Sequence, residues 1–110
     1  GPGRPAAACI AKARTMMDDD PTTAWNLAQL ACEAGLSRYQ LVRQFAQATG
    51  LTPHAYLLQR RLHHARGLMG EGTSLAEVAA ASGFADQSHL TRLFARTFGI
   101  TPHAYVRARG

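Results

Sequence analysis

Apolar residues return every three or four positions through most of this chain, and nowhere does the two-residue alternation of a half-buried strand compete. From about 4 to 17, Cys9, Ile10, Ala13, Met16 and Met17 share one helical face, with Lys12 and Arg14 on others. Asp18, Asp19, Asp20 and Pro21 end that pattern. Three carboxylates at a helix C-terminus oppose the macrodipole, so they are expected in a solvated loop. Asn26 with Gln29, and Ser37 with Gln40, have capping-box spacing and predict helices over 27–34 and 38–49, separated by a short turn at Gly35. Leu27, Leu30, Ala31, Leu36, Leu41 and Phe45 are their expected shared core. Thr52 and Pro53 open a helix running to about 69, some 25 Å long at 1.5 Å per residue, with Tyr56, Leu57, Leu62, Ala65 and Met69 on its apolar face. Ser74 with Glu77 starts another helix that closes at Gly83. Asp86 caps a helix over 87–98, and Thr101 with Pro102 starts a last one to about 107. The chain is thus predicted to be all-α, with seven helices.

Two of these stretches are nearly the same stretch. Leu27, Ala28, Ala31 and Gly35 map onto Leu75, Ala76, Ala79 and Gly83 with one offset. Leu41, Arg43, Phe45, Gly50 and the run T-P-H-A-Y map onto their later counterparts with an offset one residue larger. The second copy therefore carries one extra residue just after its glycine. Two helices joined by a three- or four-residue turn containing glycine are the mark of a helix-turn-helix, and here the mark occurs twice. The expected organisation is a helix-turn-helix subdomain over 6–52, a connector helix over 53–69 and a second subdomain over 70–110, homeodomain-like in kind. Residues 1–5, with Gly1, Pro2 and Gly3, are expected to be a cloning remnant or disordered.

Charge sharpens this picture. The 110 residues carry a formal net charge of +5, which points to a polyanionic partner. No acid occurs from Gly35 to Gly70 or from Gln87 to Gly110, so positive charge is concentrated on the second half of each repeat. With Leu41 and Phe45 inward, the helix over 38–49 presents Arg38, Tyr39, Val42, Arg43 and Gln47. With Leu90 and Phe94 inward, the helix over 87–98 presents Gln87, Ser88, Thr91, Arg92 and Arg96. An arginine can pair with guanine O6 and N7, a glutamine with adenine, and Val42 or the Thr91 methyl can meet a thymine methyl. Ser37 and Asp86, at the helix starts, are placed for backbone phosphates, as are Gln47, Arg96 and the connector's Arg60, Arg61 and Arg66.

Two helix-turn-helix units joined by a helix, with G-F-A-D-Q-S-H-L-T-R-L-F in the second and T-P-H-A-Y closing each, resemble the DNA-binding domain of the AraC/XylS family of bacterial transcription regulators. The resemblance covers the chain from Ala6 onward. It implies a rigid connector that sets both recognition helices in successive major-groove segments on one face of the duplex. It also implies Tyr39, Val42 and Arg43, then Gln87, Ser88, Thr91 and Arg92, as base readers. Leu36 stands where an aromatic is frequent, and Val42 where a polar reader is common, so the first unit is expected to read mainly through Arg43 and Arg38. Such regulators carry a separate effector or dimerisation domain, expected N-terminal to this one. Operator DNA is the implied partner, with RNA polymerase a further one; the domain alone is expected to be monomeric, and an activator role fits.

Other chemistries find little support. No nucleophile with its base, phosphate loop or paired carboxylates stands at working spacing, so an enzyme is not expected. No metal or cofactor is expected either: His63 and His64 are adjacent and cannot share a helix face, and His54 and His103 are expected to cap or pack at helix starts. Cys9 and Cys32 form no C-x-x-C pattern and are expected as small core residues, with Trp25 and Tyr56 also in the core and Tyr39 exposed. No apolar run is long enough for a membrane span, and a reduced, cytoplasmic setting at the bacterial nucleoid is the default. The competing reading is a non-specific or architectural nucleic-acid binder.

Overall fold

A computed structural model describes residues 6–70 and 72–109, so the expectation for 1–5 lies outside the described residues. Seven helices occupy them: α1 Ala6–Asp19, α2 Leu27–Ala34, α3 Arg38–Thr49, α4 Pro53–Leu68, α5 Leu75–Ala81, α6 Gln87–Phe98 and α7 Pro102–Arg109. The chain divides into two compact units, Gly1–Arg60 and Arg61–Gly110, with the division falling inside α4.

In the first unit α1, α2 and α3 pack on one another and on the start of α4. Ile10, Ala13, Met17, Leu30, Ala31, Leu41, Phe45 and Leu57 form the buried cluster, with Met16, Trp25, Leu27, Leu36 and Tyr56 half-buried against it. Tyr56 stands edge-on to Phe45, ring centroids 5.2 Å apart, and Trp25 donates from Nε1 to the Asp20 carbonyl at 2.9 Å. Both aromatics thus keep a polar end at the surface while their rings join the core. In the second unit Leu62, Ala65, Met69, Val78, Ala79, Phe84, Leu90 and Phe94 are buried. Phe94 packs against both Phe98 and Tyr105, at centroid distances of 4.6 and 5.7 Å.

Three expectations are corrected. Asp18 and Asp19 belong to the last turn of α1 instead of a loop. Asp18 is held there by the Tyr56 hydroxyl, which donates to its Oδ1 at 2.6 Å, and by Arg60 Nε at 3.4 Å, which together offset the adverse macrodipole. Cys32 is exposed while Cys9 is buried, because Leu30, Ala31 and Ala34 already fill the inward arc of α2. His54 and His103 are exposed and cap nothing: Thr52 and Thr101 Oγ1 accept from the Ala55 and Ala104 N–H groups, each at 3.1 Å.

Phe45 and Phe94 are the largest fully buried side chains. Phe45→Ala and Phe94→Ala should each cost about 3–5 kcal/mol of the unfolding free energy of its own unit, read by urea titration, since each leaves a cavity with no side chain to refill it.

Candidate nucleic-acid interface

Each recognition helix is aimed by the turn before it. At the end of α2, Gly35 takes φ +74°, its N–H donates to the Cys32 carbonyl at 3.2 Å, and the Leu36 N–H returns to Ala31 at 2.9 Å. At the end of α5, Gly83 takes φ +85°, with Gly83 bonded to Ala80 at 3.3 Å and Phe84 to Ala79 at 3.0 Å. These are the paired bonds of a Schellman ending, which needs a left-handed residue and so favours glycine. The residue after each glycine, Leu36 or Phe84, turns inward. Ala85 is the extra residue of the second turn, and it lies in the loop before α6. The next helix then starts on a side-chain cap: Gln40 N–H to Ser37 Oγ at 3.1 Å, and His89 N–H to Asp86 Oδ1 at 2.8 Å. Ser37 and Gln40 close a full capping box, as do Asn26 and Gln29; Ser74 caps the Glu77 N–H alone.

With Leu41 and Phe45 fully buried, α3 turns Tyr39, Arg43 and Gln47 outward at four-residue spacing, and Tyr39 is 72% exposed. With Leu90 and Phe94 buried, α6 turns out Ser88, Arg92 and Arg96 in the same register. A shallow recess of about 640 Å³ along α3 is lined by Ser37, Tyr39, Gln40, Arg43, Gln44 and Gln47. Gln40 and Gln44 are additions to the candidate set. They complete the row Ser37, Gln40, Gln44, Gln47 at helical spacing, which is the signal that reveals them. Arg38 is exposed but outside that recess. Val42 lies on the flank of α3, half-buried, in a separate recess of about 290 Å³ with Trp25, Leu27, Leu30 and Leu57. Gln87 and Thr91 are likewise half-buried on the flank of α6. Among the described residues, Arg38, Arg43, Arg92 and Arg96 enter no ion pair or hydrogen bond.

The connector arginines have intramolecular partners. Arg60 is paired with Asp18. Arg66 stacks over Phe98, 4.6 Å from the ring centroid, with its Nη2 3.1 Å from His63 Nδ1, and His63 itself meets Phe98 edge-on at 5.6 Å. Arg61 is half-buried, and that burial holds its guanidinium below the usual arginine range. Among the described residues no cluster of His, Cys, Asp and Glu is arranged to hold a metal ion, and no helix is long and apolar enough to cross a membrane.

Two capped, outward-facing helices, each preceded by a helix and a glycine turn and each presenting an unpaired arginine, define a helix-turn-helix DNA-binding domain. A family model described as a helix-turn-helix domain matches residues 30–108. The chain belongs to the AraC-type helix-turn-helix family of transcription regulators. It is 36% identical over 72 residues to the HTH-type transcriptional regulator MtrA of Neisseria gonorrhoeae, an alignment covering 64% of this chain and 24% of that one. It is 40% identical over 62 residues to the HTH-type transcriptional activator RhaS of Klebsiella pneumoniae, covering 56% and 22%. Among solved structures it is similar to the DNA-binding domain of the global transcriptional factor AdpA in complex with a target DNA, with TM-score 0.83, 29% identity and 90% of each chain covered. It is also similar to an AraC-type regulator from Chromobacterium violaceum, with TM-score 0.87, 28% identity and 96% and 95% covered. The chain spans about a quarter of the length of the curated relatives it matches, between 20% and 27%.

The Asp18–Arg60 pair is two-fifths exposed on each side, so its strength is modest. A double-mutant cycle of Asp18→Ala and Arg60→Ala, followed by urea unfolding, should return a coupling of about 0.5 kcal/mol. A coupling near zero together with a marked loss of DNA affinity in Arg60→Ala would assign this arginine to DNA instead.

Proposed function

We propose that this domain binds an asymmetric duplex site, α3 reading one major-groove segment and α6 the next, and that it does so as the DNA-binding part of a bacterial transcription regulator. The observation that carries the reading is the equivalence of Arg43 and Arg92. They occupy the same position of the two repeats, both are exposed, and neither is engaged within its unit. Their neighbours differ: Tyr39 and Gln47 flank Arg43, whereas Ser88 and Arg96 flank Arg92. Two unlike reading sets make a site with a direction.

Tyr39, Arg43, Ser88 and Arg92 are the central base readers of this proposal, with Gln40 and Gln44 beside them. Arg38, Val42, Gln87 and Thr91 work from the flanks, where Val42 and the Thr91 methyl offer apolar contact. Ser37, Gln47 and Arg96 approach phosphates, and Arg60 and Arg66 reach them only by leaving their present partners. Asp86 serves that end of α6 by capping it, since its own carboxylate repels a phosphate. Family membership places the chain among DNA-binding regulators and gives no support to an enzymatic role. Control of transcription initiation, an effector or dimerisation domain elsewhere in the full-length protein, contact with RNA polymerase and a place at the nucleoid complete the proposal.

Selection of bound duplexes from a random pool should return a non-palindromic site. On that site Arg43→Ala and Arg92→Ala should each lose about 1–3 kcal/mol of discrimination, at different base positions. A ratio of cognate to random affinity near unity across a salt titration would replace this reading with non-specific binding.

A further inference from the structure

The two glycine turns that aim the recognition helices share a backbone but not their surroundings. A Cβ built on Gly35 would meet nothing within 4 Å. A Cβ on Gly83 would lie 3.0 Å from Arg61 Nε and 3.3 Å from both its Cδ and Cζ. Three consecutive atoms at nearly equal range mean that the end of the Arg61 side chain lies along the open face of the glycine. The absent side chain of Gly83 is what lets the guanidinium come so close. Arg61 belongs to the part of α4 that falls in the second unit, so this contact lies wholly within that unit. In the first unit the corresponding glycine turn is open.

We infer that Arg61 is a positioning residue for α6: laid across Gly83, it braces the turn from α5 and fixes the angle at which Ser88 and Arg92 are presented. This differs from the phosphate contact that its place in a basic connector helix suggests. It rests on the reading of α6 as a base-reading helix. A turn is a stiff lever, because a small rotation about the backbone of Gly83 swings every outward side chain of α6. Base readout depends on bidentate geometry and is lost by such a swing, whereas general attraction to phosphates is not. A planar guanidinium can lie flat on a glycine as a compact ammonium cannot, so lysine is the discriminating replacement.

The test uses the whole 110-residue chain and the duplex selected for it, with a panel of single base-pair changes and a salt titration read by fluorescence anisotropy. Arg61→Lys should reduce discrimination roughly tenfold at the base positions that Arg92→Ala also relaxes. Discrimination at the positions governed by Arg43, and the slope of affinity against salt, should stay as in the parent. Arg61→Met should show the same pattern; if it unfolds, the lysine variant carries the decision alone. A uniform loss across all sequences in Arg61→Met, with a salt slope smaller by about one, would make Arg61 a phosphate contact and overturn the bracing role. Parent-like discrimination in Arg61→Lys would overturn it as well. If Arg92→Ala relaxes no base position, the base-reading role of α6 falls first, and the bracing role falls with it.

Discussion

The burial of one leucine and one phenylalanine on each recognition helix is the constraint on which the rest depends. Leu41 with Phe45, and Leu90 with Phe94, are four residues apart and reach zero exposure. That pins the roll of α3 and α6 about their own axes. Once the roll is fixed, the helical period decides which side chains face out, with no further contact needed: Tyr39, Arg43 and Gln47 on one helix, Ser88, Arg92 and Arg96 on the other. Apolar burial is non-directional, yet here it sets the direction of every polar group that matters. The turns add the second coordinate. Gly35 and Gly83 set the angle between paired helices, and the residue after each, Leu36 or Phe84, plugs the corner.

The backbone architecture was largely legible in the amino-acid order because its signals are local. Ser37 with Gln40 and Asn26 with Gln29 are capping boxes in spacing and in fact, and α3 and α6 begin and end where their caps and glycines say. Family membership and fold followed from the same repeat. What sequence did not yield were the destinations of long or two-natured side chains. Asp18 looked like loop material because its two partners, Tyr56 and Arg60, are about forty residues away and come beside it only in the folded unit. Cys32 looked apolar on a helix whose inward arc was already full. Gln40 and Gln44 join the recess on α3 only through the fold, since Gln40 is spent in sequence as a capping-box residue and a glutamine beside buried Phe45 carries no charge to mark it.

Val42 and Thr91 show the limit of periodicity from another side. They occupy equivalent positions, about a quarter-turn from the core centre, where a helix meets either solvent or a neighbour. In the first unit Trp25, Leu27, Leu30 and Leu57 supply an apolar wall beside that position, and valine suits it. The residue type is thereby matched to its own unit's interior as much as to a partner outside. This explains how one fold carries two unlike sets of side chains without losing the shape that presents them.

Charge is arranged by the same logic. The arginines of α4 are engaged inside their own units: Arg60 meets an acid and Arg66 an aromatic face, while the Arg61 side chain lies beside the open side of Gly83. The arginines of α3 and α6 have no acid on their own helices, and Asp18 of α1 is taken up by Tyr56 and Arg60. A guanidinium without a counter-charge costs little at a solvated surface, and it gains most when a polyanion replaces the water around it. The fold thus spends some of its arginines on holding each unit's shape and leaves others uncommitted. On α3 and α6 these uncommitted arginines stand on helices whose roll is locked from beneath, so their direction is fixed although no partner holds them.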